Sequence, residues 1–184
     1  MKNMLMCLLF GTLLFSCDPA PREGGNATGE SRFHTTPPSL LYFKNMRSTT
    51  YTMEEQPKSR IELYRHKQFG PAGERPAVYP VIANNWLQDE AYLVLERGNA
   101  PKPLQEPLTF AADTTASSSF LRLQGAQPGQ QYDLALDLYK GLQSENQWYI
   151  KQRNGQFAPL YHKGNERMAF LVTLRDYLKL TEAD

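Results

Sequence analysis

Few residues of this chain carry reactive side chains at spacings that could cooperate. Its two cysteines are Cys7 and Cys17, and a thiol can pair, bind a metal or take an acyl group. The three histidines are His34, His66 and His162. None stands at the close spacing to a second ligand that a zinc site uses, so no metal and no cofactor is expected, and each is read as a surface residue. The acidic pairs Glu54-Glu55 and Asp89-Glu90 supply carboxylates. Adjacent residues on a strand point to opposite faces, so neither pair converges as a glycosidase pair must. No Gly-Lys-Ser/Thr phosphate loop, dinucleotide fingerprint or Gly-x-Ser-x-Gly elbow occurs. With no catalytic constellation in the sequence, the expectation is a protein that is not an enzyme.

Aromatic rings are the one excess: 10 Tyr, 9 Phe and 2 Trp. Trp86 follows Asn84-Asn85 between two candidate strands, and Trp148 opens a late hairpin. Rings on the loops of a rigid scaffold form binding hot spots and stack on sugars, so Trp86 and Trp148 are candidate ligand-binding residues. The competing reading is that they fill the core. Asp113-Thr114-Thr115 is similar to the acceptor triplet of a bacterial periplasmic O-glycosylation system, which marks Thr114 as a candidate glycosylation site. The triplet Asn26-Ala27-Thr28 is a chance match to an N-glycosylation site.

Cys17 follows an apolar run, Met4 to Phe15, broken only by Gly11 and Thr12. Lys2 is the only charge before Asp18. About 12 residues of helix rise roughly 18 Å, short of the ~30 Å of a bilayer core, so the run reads as a secretory leader and not a membrane span. Leu14-Phe15-Ser16-Cys17 resembles the lipobox of bacterial lipoproteins, with Phe15 bulkier than the pattern usually has. The resemblance implies cleavage before Cys17 by the lipoprotein signal peptidase and acylation of Cys17, palmitate included. The exported chain is then anchored to the inner or the outer membrane, on the periplasmic or the surface face. Asp18 is similar to the inner-membrane retention signal of enterobacteria, which other Gram-negative groups do not read that way.

Loss of residues 1–16 would remove Cys7 and Lys2. No disulfide is then expected, and the fold must stand on its core. The 20 basic and 19 acidic residues of the whole chain become equal in number once Lys2 goes. A neutral chain lacks the basic surface from which nucleic-acid affinity comes, so no nucleic-acid partner is expected. It also lacks a polybasic grip on lipid, which leaves the acyl chains on Cys17 to hold the membrane.

The elements that must position these residues begin after a tether. Residues 17–39 hold the acylated Cys17 and a Pro-, Gly-, Ser- and Thr-rich stretch, read as a flexible linker. Residues 40–184 suit a single β-rich domain. Leu40–Met53 is rich in aromatic and β-branched residues and predicts one long strand or two short ones. Ser59–Lys67, Ala77–Ala83 and Ala91–Arg97 predict strands, and Leu108–Ala111 an edge strand. Asn154-Gly155 predicts a hairpin between Trp148–Lys151 and Gln156–Leu160. In Glu166–Leu180 apolar residues recur at helical spacing and predict a helix, with a strand over Phe170–Leu174 as competitor.

Between Phe120 and Tyr139 a Pro128-Gly129 turn precedes Tyr132, Leu134, Leu136 and Leu138 at period two. This resembles the tyrosine corner of fibronectin type III and other immunoglobulin-like sandwiches. Leu134, Leu138 and Leu142, with Ala135 and Tyr139, form a helical stripe as well. The strand is preferred because the alternation is unbroken and Gly141 would weaken a helix by ~1 kcal/mol.

The expected fold is mainly β: an antiparallel immunoglobulin-like β-sandwich with a C-terminal helix. The expected function is a non-catalytic binding or assembly module of the cell envelope, with an envelope protein as partner. The alternative is a carbohydrate-binding surface lipoprotein using Trp86 and Trp148, with a glycan as partner. Substituting Cys17→Ser is expected to abolish acyl-chain labelling and membrane retention in cells fed radiolabelled palmitate; a variant that still takes label would refute the lipobox reading.

Overall fold

A computed structural model describes residues 31–100, 103–112, 120–123, 125 and 127–183, and structural statements below concern these. Cys17 and Thr114 lie outside the described residues, as do Asp113 and Thr115. Eight antiparallel strands form two sheets of four, accompanied by three α-helices, the last of them C-terminal. The protein is thus β-rich with a C-terminal helix, and its core is shared between the sheets and the helices.

The chain turns before it extends. Pro37–Tyr42 forms α1, capped by Thr36: its Oγ1 accepts from the Ser39 N–H, while the Ser39 Oγ accepts from the Thr36 N–H. Pro37 and Pro38 start the helix, where their missing N–H groups cost nothing. A π-type turn, Phe43–Arg47, and a short 3-10 turn, Ser48–Thr50, follow. Only then does β1, Tyr51–Gln56, begin. This corrects the strand expected over Leu40–Met53. The reason lies in packing: Phe43 is 1 % exposed and meets Tyr51 and Tyr64 edge-on or tilted at 5.0–5.6 Å. The chain must double back for Phe43 to reach a strand only eight residues on.

β2 (Ile61–His66), β3 (Val78–Asn85) and β4 (Glu90–Arg97) complete the first sheet, a meander in the order β1-β2-β3-β4. The register puts Tyr51, Tyr64, Ile82, Leu93 and their neighbours on one face. The C-terminal helix α3, Gly164–Leu180, packs there, through Asp176 at Tyr51 and Tyr177 at Ala91. Its N-terminal residue is not held by Asn165, whose amide instead donates to the Gln68 carbonyl at 3.2 Å.

β5 (Leu108–Ala111), β6 (Phe120–Leu123), β7 (Trp148–Lys151) and β8 (Phe157–Leu160) form the second sheet, ordered β6-β5-β7-β8. The β7–β8 hairpin turns at Gly155, whose φ of 83° suits glycine. β5, expected at an edge, is central, and all four of its residues are buried. Residues 31–39, placed in the tether on composition, are also packed: Phe33 lies 5.3 Å from the Tyr92 ring and Thr35 is buried.

The largest correction concerns Tyr132–Leu138. Pro128–Gln143 is a helix, α2, with Pro128 in its first turn. Leu134, Ala135, Leu138 and Leu142 face inward at helical spacing, so the stripe prevails over the period-two alternation. No tyrosine corner therefore exists at 130–139. Gly141, which counted against the helix, is what the helix needs. A Cβ there would stand 2.6 Å from the Trp148 ring on β7, closer than carbon atoms approach. The glycine lets α2 settle onto the indole, and the burial of Trp148 outweighs the propensity cost.

Gly141→Ala tests this balance by its sign. On an exposed helix it would add about 1 kcal/mol of stability. Here overpacking is expected to cost about 1–3 kcal/mol and to lower the melting temperature by several degrees. Adding Trp148→Phe, a smaller ring, is expected to relieve part of that loss; a Gly141→Ala chain that melts higher than the parent would refute the contact.

Candidate functional site

Beside isolated ion pairs such as Arg32 with Asp133 and Lys163 with Glu166, the ionisable side chains of the first sheet and its covering segments form three networks. The first is buried beneath α3. Arg47 Nε donates to both oxygens of Asp176, at 2.9 and 3.0 Å, and the Tyr51 hydroxyl donates to Asp176 Oδ2 at 2.8 Å. Asp176 is 4 % exposed, and a guanidinium and a phenol satisfy its oxygens in that buried position. Burial, and then the Asp176 charge, pushes the Tyr51 phenol well above its ordinary range.

The second network centres on Glu62, which accepts from Tyr64 at 2.8 Å, Asn84 at 3.0 Å and Lys44 at 3.1 Å. Burial alone would raise the Glu62 carboxyl; the three donors reverse that and hold it below its usual value. The third lies on the other face of the first sheet. Arg65 forks onto Glu96 at 2.7 and 2.6 Å and reaches Glu54 at 2.8 Å, while the Tyr79 hydroxyl donates to Glu96 at 2.7 Å. Every carboxylate in these networks is occupied by donors from the fold itself. None is paired with a nucleophile. Among the described residues no group of three or more His, Cys, Asp or Glu could hold a metal. No catalytic constellation is present among the described residues.

The sequence candidates scatter. Glu54 and Glu55 point to opposite faces of β1, and Glu54 is taken by Arg65. Asp89 ends the β3–β4 turn, and the next residue, Glu90, accepts from the Tyr92 hydroxyl. His34 and His162 are exposed. His66, expected at the surface, is 4 % exposed; its Nδ1 accepts from the Gln68 N–H at 3.2 Å and its ring packs edge-on against Tyr51. Nothing in the strand pattern marked it, because a buried neutral imidazole occupies a core position as any apolar ring does.

Trp86 and Trp148 belong to different sheets and have opposite environments. Trp148 is 5 % exposed under α2, a core residue whose ring offers no platform to a ligand. Trp86 stands at the tip of the β3–β4 hairpin, 45 % exposed, beside Leu87 at 56 %. The tip is held by Asn85, whose Oδ1 accepts from the Leu87 N–H and whose amide donates to Gln88.

Two openings could receive a partner. A cleft of about 240 Å³ lies between the start of β3, the β7–β8 hairpin and the first turn of α3, walled by Ala77, Leu104, Ile150 and Leu160 with Glu166 and Lys163 at its polar side. The other is the outer edge of β1. Five of its six residues are exposed, Met53 by 51 %, and among the described residues no strand pairs with that edge. The opposite edge, β4, is blunted: Thr35 N–H donates to the Asp89 carbonyl at 2.7 Å and Leu95 N–H to Gln131 Oε1 at 2.7 Å. No family model matches the chain, and no curated protein or solved structure is significantly similar to it.

His66 gives the core a pH dependence. Burial lowers its proton affinity, opposed by the Asp176 charge and aided by Arg47. Below the ordinary value of 6.5 the unfolded chain takes up the proton first, so stability is lost as pH falls through 6.5 and is constant above it. Urea midpoints at about pH 7.5 and about pH 5.5 are expected to differ less in His66→Gln than in the parent; equal differences would remove His66 as the cause.

Proposed function

We propose that this chain is a lipid-anchored lipoprotein of the bacterial envelope that serves as a non-catalytic binding or assembly module. The observation that carries the address is Leu14-Phe15-Ser16-Cys17 at the end of a short apolar run. The scaffold is read as a sandwich-like pair of antiparallel sheets joined through α2 and α3, with α2 in place of the fibronectin-type corner. Support for the binding role comes from the open edge of β1. Its unpaired backbone groups match the demand of an incoming strand, and Met53 adds an apolar contact. Glu54 and Glu55 keep such an edge from pairing with copies of itself, which fits a surface reserved for one partner.

The glycan reading is left with Trp86 alone, since the Trp148 ring is covered by α2. A photo-crosslinking amino acid at position 53 is expected to give one stoichiometric adduct with an envelope protein in living cells. The same probe at Glu145, exposed in the turn after α2 and off that edge, is expected to give none. A chain without any adduct from position 53 would count against the assembly role.

A further inference from the structure

The end of the first sheet that carries Trp86 gathers apolar side chains that the fold does not use. Two of the three turns of the meander reach that end, since Gln56 pairs with Ile61 and Asn85 with both Ile61 and Glu90. α1 begins there too. Thr36 and Ser39 bond Glu182 and the Leu180 carbonyl at the end of α3, whose Tyr177 touches Ala91 at the start of β4. Two large apolar side chains project from this end: Trp86 at 45 % exposure and Leu87 at 56 %. They are adjacent in the chain at one hairpin tip, among eight exposed large apolar residues of the described chain.

The N-terminal segment joins the body beside the same end. His34 bridges Glu90, and Thr35 bonds Asp89, the last residue of the turn that holds Trp86 and Leu87. Phe33 reaches Tyr92, two positions along β4 or about 7 Å from Glu90. About 14 residues separate Ser31 from Cys17, a reach of at most ~50 Å whatever their path. An anchor at Cys17 therefore keeps this end of the body within one tether length of the bilayer.

We infer that the Trp86–Leu87 hairpin tip is a membrane-facing end that seats in the interfacial layer of the bilayer holding the acyl chains. This rests on the lipoprotein reading above. Tryptophan suits that layer, with an apolar body and a polar tip, and Leu87 adds an apolar contact beside it. The charges nearby are mixed: Lys58 and Arg60 on the β1–β2 turn, Asp89, Glu90 and Glu182 on the others. The contact is accordingly apolar and does not select anionic lipid. A second acyl-independent contact fixes which way the body points, so the β1 edge, which runs away from this end, faces the aqueous side.

The test uses the full-length acylated protein in phosphatidylcholine vesicles whose lipids are brominated near the headgroup. Trp86 fluorescence is expected to fall by about half relative to unbrominated vesicles, as a ring in the interface should. A Trp86→Phe chain retains only Trp148, 5 % exposed, and is expected to show no quenching. Leu87→Asp is expected to abolish the quenching while the chain still floats with the vesicles. A protein that floats and carries acyl label but whose Trp86 is not quenched overturns the orientation and leaves the anchor standing. One that neither carries label nor floats overturns both, and quenching that persists in Trp86→Phe also overturns the inference.

Discussion

Tyr177 is the point at which four separate stretches of chain meet. It is completely buried on α3. Its hydroxyl lies 3.2 Å from the Ala91 carbonyl on β4 and 3.3 Å from the Arg32 carbonyl, sharing one proton between them. Its ring packs 5.9 Å from Tyr132 on α2. Burial and the nearby Tyr132 push its phenol far above the ordinary range, so the proton stays on at any physiological pH. A large ring with a polar tip is the one side chain that can fill this junction and still satisfy a carbonyl there. The described residues contain no cysteine, so this junction ties the segments together by packing and hydrogen bonds and not by a disulfide.

The same economy governs the charged residues. Arg47 with Asp176, Lys44 with Glu62 and Arg65 with Glu96 each tie an early segment to a later one, across 129, 18 and 31 residues. Each carboxylate is held by at least two donors, which fixes register and orientation more than it adds stability. Groups committed to such contacts cannot also converge on a substrate. What the fold leaves available is surface: the β1 edge, the cleft by Glu166 and the apolar end around Trp86. On the proposed reading, a lipid anchor beside that end and a strand edge running away from it would form a coherent layout for an envelope assembly module.

The legible part of the fold was local. β2, β3, β4 and the β7–β8 hairpin fall where alternating apolar residues and the Asn154-Gly155 turn place them. α3 was legible because Phe170, Leu174 and Tyr177 keep helical spacing over several turns. His66 was not, since its burial depends on Tyr51 and Phe69 arriving from other elements. The core reading favoured for Trp148 over Trp86 came without its physical cause, which is α2 lying over the Trp148 ring.

The sequence by itself determined those hairpins and the long C-terminal helix, because each is written in contacts between residues a few positions apart. Tertiary structure decided the rest where two periods fitted one stretch. Leu134 and Leu138 satisfy both a strand and a helix, and the choice fell to whether a flat indole on β7 could meet a helix face lacking a side chain at Gly141. Leu40–Met53 has strand-forming residues throughout, yet it turns, because Phe43 is buried only if it folds back onto Tyr51 and Tyr64. In both places the area removed from water by long-range packing exceeds the few tenths of a kcal/mol per residue by which propensity favours the alternative.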